Sequence, residues 1–139
     1  PENKQKYSRL KILDILQWLA ADIMPRLRPT HRKKSVLLHP TCASRLLGLD
    51  GLMEEIAGAC AEKVTAPGSA HCCGAAGDRG MIYPKVAHAA TRDEKRDIEG
   101  LTFDGCYSLA RTCEISMCDT IGRPYEPLIY LVDETCSAS

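Results

Sequence analysis

The sequence predicts an α/β fold: a small parallel sheet flanked by helices, with cysteines gathered at the carboxyl edge of its strands. Three observations carry this expectation. Short aliphatic runs alternate with longer amphipathic segments, the pattern of strands joined by helical crossovers. The 139 residues fit one domain, and 45% hydrophobic residues can fill a core of aliphatics and alanine, since aromatics make up only 5%. Four of the eight cysteines fall shortly after the expected strands.

In order along the chain, residues 8–24 read as a helix. Leu10, Ile12, Leu13, Ile15, Leu16, Trp18, Leu19, Ile23 and Met24 cover a wide apolar face, which must be buried or packed on another body. Pro25 and Pro29 end it, and residues 26–34 form a basic connector. Ser35 to His39 read as a short buried strand. Pro40 suits a first helical turn, Cys42 to Leu47 continue it, and Leu52 to Ala61 form a longer helix. Lys63 to Ala66 are the second strand, closed by Pro67-Gly68. Tyr83 to Arg96 are helical, alanine-rich on one side. Leu101 to Cys106 form the third strand. Ala110 to Thr120 are helical with Gly122 as terminator, residues 124–127 are extended, and Leu128 to Val132 begin a last helix that ends in a polar tail. Residues 1–34 therefore read as an N-terminal helix plus connector, and residues 35–139 as a cysteine-rich domain.

The net charge is zero but unevenly spread. Residues 1–34 hold nine Lys/Arg against three Asp/Glu, and residues 35–139 nine against fifteen. A solvated basic face accounts for this; docking to an acidic surface or anionic lipid is the sharper reading. Nucleic acid is not an expected partner, because basic residues are not interleaved with aromatics and no nucleic-acid motif is present. No apolar run is long enough to span a bilayer, and no secretory signal pattern is visible. A cytoplasmic location follows as the expectation, with peripheral attachment at the inner face of the membrane as its variant. The chain opens on Pro1 and on polar residues, and reads as a fragment of a longer protein.

The densest stretch is Ala70-His71-Cys72-Cys73-Gly74-Ala75-Ala76-Gly77-Asp78-Arg79-Gly80. Adjacent cysteines pack poorly in a core, and glycines at intervals of three imply tight turns or close approach. With ample core and no secretory signal, the cysteines fit metal ligation in a reducing compartment better than a disulfide framework. The ordered set is Cys42, then Cys72-Cys73 after twenty-nine residues, then Cys113. Each follows a strand, and residues past the carboxyl ends of parallel strands share one edge, where ligands bind. Four thiolates suit a structural zinc or an iron–sulfur cluster. Zinc ribbons use C-x-x-C hairpins, which this chain lacks. Adjacent ligands strain a single-ion site but can reach different irons of a cluster.

His39-Pro40-Thr41-Cys42, His71-Cys72-Cys73-Gly74 and Arg111-Thr112-Cys113 together resemble the cysteine-rich CCG domain. That family includes the CCG-bearing component of heterodisulfide reductase and the iron–sulfur components of glycolate oxidase and of glycerol-3-phosphate and lactate dehydrogenases. The longer runs Cys72 to Gly80 and Asp104 to Glu114, with Pro124-Tyr125, are similar to the C-terminal part of fused FAD and iron–sulfur dehydrogenases of D-lactate or D-2-hydroxyglutarate. The resemblance covers about residues 35–135. Many members carry a C-x-x-C pair at the end; here Ala110 stands three before Cys113, so a fifth ligand would have to be Cys106 or Cys118. The resemblance thus implies one four-cysteine cluster, 4Fe-4S, rather than a five-cysteine non-cubane one. It implies electron relay from a flavin domain of the full-length chain to an acceptor such as a quinone or cytochrome. This chain has no G-x-G-x-x-G and no phosphate loop with lysine, so no activity is expected of it alone. The alternatives are a zinc-stabilised, non-catalytic domain and a heterodisulfide-reductase-like thiol redox fragment.

Around the four ligands, His39 and His71 are placed to donate to cluster sulfurs, or else are satisfied by backbone at strand ends. Gly74 belongs to the ligand loop. Arg79 and Arg111 are placed to stabilise added negative charge; Arg79 is equally suited to pair with Asp78, and Asp78 to cap the following helix. Cys106 divides evenly between core and a place beside the cluster. Cys60 and Cys118 read as core, Cys136 as an uninvolved tail residue, and His31 and His88 as surface.

Overall fold

The computed structural model describes residues 7–138. Part of the basic N-terminal segment, residues 1–6, therefore lies outside the described residues. The elements are α1 (Ile15–Trp18), β1 (Leu27–Pro29), β2 (Lys33–Leu38), α2 (Cys42–Leu46), α3 (Asp50–Cys60), β3 (Ala61–Thr65), α4 (Arg79–Ile82), α5 (Pro84–Asp97), β4 (Gly105–Ser108), α6 (Arg111–Ile121), β5 (Tyr125–Pro127), α7 (Leu128–Thr135) and β6 (Cys136–Ala138). Strands β3-β2-β4-β5 form a four-stranded sheet, parallel at every pairing. The expected α/β class with a parallel sheet flanked by helices is the observed one.

The strands are short and alternate cleanly across the sheet. Val36, Leu38 and Tyr107 face one side, where they pack with Met53 and Ile56 of α3, Leu128 and Leu131 of α7, and Leu16 and Leu19. Leu37 faces the other side. The register aligns it with Cys106, and Cys106 with Tyr125, so the three form a row across the sheet. That row packs with Ile98, Met117 and Ile121 beneath α5 and α6. Each fully buried aliphatic contributes about 1.5–3 kcal/mol relative to exposure.

The strand order has one functional consequence. The chain leaves β2 towards β3 on one side, and leaves β4 towards β5 on the other. Between β2 and β4 the connections diverge and open a crevice at the carboxyl ends. Residues after β2 and after β4 border that crevice.

Several boundaries differ from the expected ones. The first helix begins at Ile15, not near residue 8. Asp14 caps it, accepting the Leu16 N–H at 2.9 Å, while the Gln17 side chain accepts from the Asp14 N–H. Leu10 and Ile12, expected on the apolar face, are largely exposed. After Trp18 the helix widens into a π turn over Leu19–Ile23 and tightens to 3-10 over Met24–Arg26. Pro25, which lacks an N–H, ends it. The basic connector contains β1, which pairs antiparallel with β6 in the expected polar tail. Both segments are short and lack periodicity, so only their mutual pairing defines them. The third strand begins at Gly105 rather than Leu101. Asp104 commits its carboxylate to the N–H groups of Lys34 and Ser35, at 2.7 and 3.0 Å, and the ladder starts after it. The extended 124–127 segment supplies β5, the fourth strand. Gly122 ends α6 in the left-handed conformation, φ +79°, as its type suggests.

Candidate functional site

The four spaced cysteines lie as two sulfur pairs, Cys42 with Cys72 and Cys73 with Cys113. Cys42 opens α2, directly after β2. Thr41 caps that helix by accepting the Ser44 N–H at 3.2 Å, which sets the direction of its first turn. Cys72 and Cys73 come from the long β3–α4 connection, and Cys113 from the first turn of α6. The Cys42 and Cys72 sulfurs are 4.0 Å apart and the Cys73 and Cys113 sulfurs 3.1 Å apart. Cys113 also feels the charges of Cys42 and Cys72, so the two pairs share one locality. The pairs differ in exposure: Cys42 is exposed, Cys72 half-buried, and Cys73 and Cys113 are buried. Among the described residues, no group of three or more His, Cys, Asp or Glu side chains is gathered to hold a metal ion.

The loop from Cys72 to Gly80 is shaped by its glycines. Gly74 has φ +72°, and a Cβ on it would lie 2.5 Å from the Ala87 Cα of α5. A Cβ on Gly80 would come within 2.9 Å of the Ala75 Cα. The loop thus folds back on itself and sits directly on α5; the Gly80 N–H donates to the Ala75 carbonyl at 2.8 Å. Ala76 and Gly77 also have positive φ. Successive N–H groups in such a turn point into one concavity and favour anionic ligands. Here the Gly74 N–H donates to the Cys72 sulfur at 3.3 Å, and the Ala75 N–H stabilises the Cys73 thiolate.

The electrostatics separate the buried pair. The neighbouring Cys113 thiol holds the Cys73 thiol down to about 4. Burial opposes this, and His39 and the Ala75 N–H reinforce it. The same contact, with burial, pushes Cys113 well above the usual thiol range. The two sulfurs share one short contact that favours a single negative charge on the pair, and His39 and the Ala75 N–H favour that charge at Cys73. Cys42 is raised by burial and by the charge of Cys72.

His39 is fully buried at the end of β2, on the α5 side of the sheet. Its Nδ1 meets both carboxylate oxygens of Glu94, at 2.9 and 3.2 Å. Burial pulls its pKa down, but Cys73 and Glu94 outweigh that and raise it to about 9. The other ring nitrogen, Nε2, is buried without a protein partner. His71 is exposed and accepts from Arg45 at 2.7 Å, so this expected sulfur donor is engaged on the outside of the site. Arg111 is mostly exposed and donates to the buried Glu114 at 3.1 Å. Asp78 occupies the N-cap position of α4 but makes no capping bond with its side chain. Asp78 and Arg79 are both exposed, and among the described residues no ion pair joins them. Cys106 lies in the core row of the sheet; burial pushes it up to about 11, and the groups that act on it are Arg123 and Cys118. It shares one buried cluster with Cys73 and Cys113. Cys118 accepts the Tyr125 N–H at 3.1 Å and holds α6 to β5.

Two residues at the site are not evident from the sequence pattern that locates the cysteines. Ser116 donates to the Cys73 carbonyl at 2.6 Å and fixes the loop to α6. Glu94 is 1% exposed. A signal for it does exist: Ala87, Thr91 and Glu94 fall at helical spacing on the buried stripe of α5, and a carboxylate on such a stripe needs a buried partner.

Exposed apolar side chains lie near the cysteines in sequence. Leu46 and Leu47 follow Cys42, Met81, Ile82 and Tyr83 follow the loop, and Ile115 follows Cys113. No protein-family model matches this chain, and no curated protein or solved structure does. Among the described residues no helix is long and apolar enough to cross a membrane.

Proposed function

We propose that this chain is an electron-transfer module that holds one iron–sulfur cluster, of 4Fe-4S type, on Cys42, Cys72, Cys73 and Cys113. It would serve as the C-terminal part of an FAD-dependent D-2-hydroxy-acid dehydrogenase, of D-lactate or D-2-hydroxyglutarate type. Electrons would come from the flavin domain and pass to a quinone or cytochrome. The observation that carries this reading is the pairing of Cys42 with Cys72 and of Cys73 with Cys113, thiols from three separate segments, with loop N–H groups donating to Cys72 and Cys73.

The residues present fit such a group in three respects. The donor set is all sulfur, which selects zinc or iron–sulfur chemistry. The loop offers backbone donors to anionic sulfur. The buried Nε2 of His39 lacks a protein partner, as a nitrogen reserved for a bound group would. When bound, a cluster supplies reversible one-electron storage. Cys73 and Cys113 would hold its buried side and Cys42 its solvent side. Exposed apolar residues in the segments that carry the cysteines suit contact with a partner domain.

A single zinc ion is the weaker fit, since the chain has no C-x-x-C pair and adjacent cysteine ligands strain a single-ion site. A thiol-redox reading is favoured by one observation, the 3.1 Å Cys73–Cys113 contact with its depressed thiolate. Anaerobic reconstitution with iron and sulfide separates the three. The cluster reading expects about four irons per chain and a paramagnetic signal on reduction. Tight zinc without iron supports the scaffold, and a Cys73–Cys113 disulfide that exchanges with dithiols supports the redox fragment.

A further inference from the structure

The cavity between the C-terminal ends of α5 and α6 is lined by charge of one sign. Arg92, Lys95, Arg96 and Arg123 stand around about 430 Å3 of space, with the buried Ile98 and Ile121 as its apolar wall. Residues 35–139 hold only nine Lys/Arg against fifteen Asp/Glu, yet four of those nine meet here. Like charges drawn together repel, so something must favour the arrangement. Helix C-termini attract cations, and that accounts for Lys95: its Nζ donates to the Thr120 carbonyl, in the last turn of α6, at 3.0 Å. Arg123 is also held, donating to the Leu101 carbonyl at 2.5 Å with its guanidinium 5.3 Å from the centre of the Phe103 ring. Arg92 and Arg96 are different. They lie one turn apart on α5, and both reach the exposed Asp93 carboxylate, at 3.5 and 2.8 Å. Neither donates to a backbone carbonyl among the described residues. Asp97, at the end of the same helix, is engaged by the Ser69 hydroxyl at 2.5 Å. Two arginine forks thus share one surface carboxylate, and most of their N–H groups are left for another acceptor.

We infer that this cavity binds the phosphate group of a small phosphate monoester. Four cations against Glu99 of the lining and the neighbouring Asp93 leave two positive charges, which a phosphate dianion neutralises. Arginine forks grip pairs of phosphate oxygens, and lysine adds a point charge. A carboxylate, with two oxygens and one charge, satisfies fewer of these donors. The two isoleucines give an apolar surface to the organic part of the ester, and a cavity of this size suits a small ligand. The site lies at the amino ends of the strands: Leu101 and Phe103 come before β4, and Arg123 before β5. Cys42 and Cys113 come after the carboxyl ends of β2 and β4, at the opposite edge of the sheet. Phosphate binding here is therefore independent of what the cysteines hold.

The test titrates phenyl phosphate into the full chain and follows the backbone amides by nuclear magnetic resonance, with benzoate as the singly charged comparison. The expected result is a saturable shift of the amides around Arg96, Gly100 and Arg123, and a weaker response to benzoate. Arg92→Gln and Arg96→Gln should each weaken binding about tenfold. Arg96→Lys should recover part of the loss, because it keeps the charge and gives up the fork. Lys63→Gln removes an exposed positive charge from β3, at the far edge of the sheet, and should leave binding unchanged. Arg92 and Arg96 are largely exposed, so both variants should keep the wild-type melting temperature; should one of them unfold, the other carries the test. The absence of a saturable shift overturns the inference. So does equal weakening by Lys63→Gln, benzoate binding as tight as that of phenyl phosphate, or binding to phosphatidylglycerol vesicles without binding of phenyl phosphate.

Discussion

The sulfur of Cys73 lies 3.1 Å from that of Cys113, forty positions away in the chain. The contact joins the β3–α4 loop to the first turn of α6 across the mouth of the sheet. It also explains how a thiolate can sit in a buried place. The Cys113 thiol, His39 and the Ala75 N–H supply the donors that water would otherwise give. Removing any one of them raises the cost of the charge, so the loop, α6 and β2 are coupled through a single sulfur.

The glycines of the loop should respond very differently to alanine. Gly74 and Gly77 both have positive φ, which costs an L-residue about 1–2 kcal/mol. A Cβ at Gly77 meets nothing, whereas one at Gly74 collides with the α5 backbone. Gly77→Ala should lose only the backbone cost in urea denaturation. Gly74→Ala should lose clearly more and displace the Cys72-Cys73 pair. Equal losses would mean that the loop does not rest on α5.

Alkaline pH should destabilise the core through Cys106. Its folded pKa, about 11, lies above the ordinary 9.0 because burial opposes the thiolate. The resulting stabilisation is complete below pH 9 and is lost as pH rises from 9 through 11. At about 1.4 kcal/mol per unit this amounts to about 2–3 kcal/mol. Cys106→Ala lowers stability at pH 8 through the small cavity it leaves, but should flatten the decline above pH 9. An unchanged slope in denaturation curves would place Cys106 outside the core.

Cys60 and Cys136 form a second thiol pair, 3.9 Å apart, where α3 ends beside β6. Oxidation by a small disulfide should join them with loss of two hydrogens, detectable by mass mapping of peptides. The bridge would close a span of 76 positions. On the chain-entropy model it should add about 4 kcal/mol and raise the melting temperature. Failure to form under conditions that modify Cys42 would show that β6 does not sit on α3.

Thr41 aims the helix that carries Cys42. Thr41→Ala should cost about 1 kcal/mol by loss of the cap, while Thr41→Ser, which keeps the hydroxyl, should cost little. Denaturation midpoints of the two variants decide the point.

The sheet and the pairing of cysteines from separate segments are legible in the sequence because both follow from order and spacing. Strand-like runs alternate with helical ones, and each spaced cysteine falls in the connection or first helical turn that follows a strand. What stays hidden depends on contacts between segments far apart in sequence. The β1–β6 pairing joins two three-residue strands that carry no periodicity of their own. The late start of the first helix is set by the Asp14–Gln17 capping box, which outweighs the apolar count of residues 8–13. Cys136, which the sequence places in an uninvolved tail, gains its neighbour Cys60 only through that pairing. Among the described residues the expected Asp78–Arg79 ion pair is not formed; glycine close-packing and Ser116 hold the loop instead.

Substitution of each cysteine by serine, one at a time, followed by anaerobic loading with iron and sulfide, tests the central claim most directly. Loss of iron in the Cys42, Cys72, Cys73 and Cys113 variants, with retention in the Cys60, Cys106, Cys118 and Cys136 variants, is the result expected. Full iron content in any of the first four, or its loss in any correctly folded member of the second, would contradict the assignment of the crevice as the metal centre.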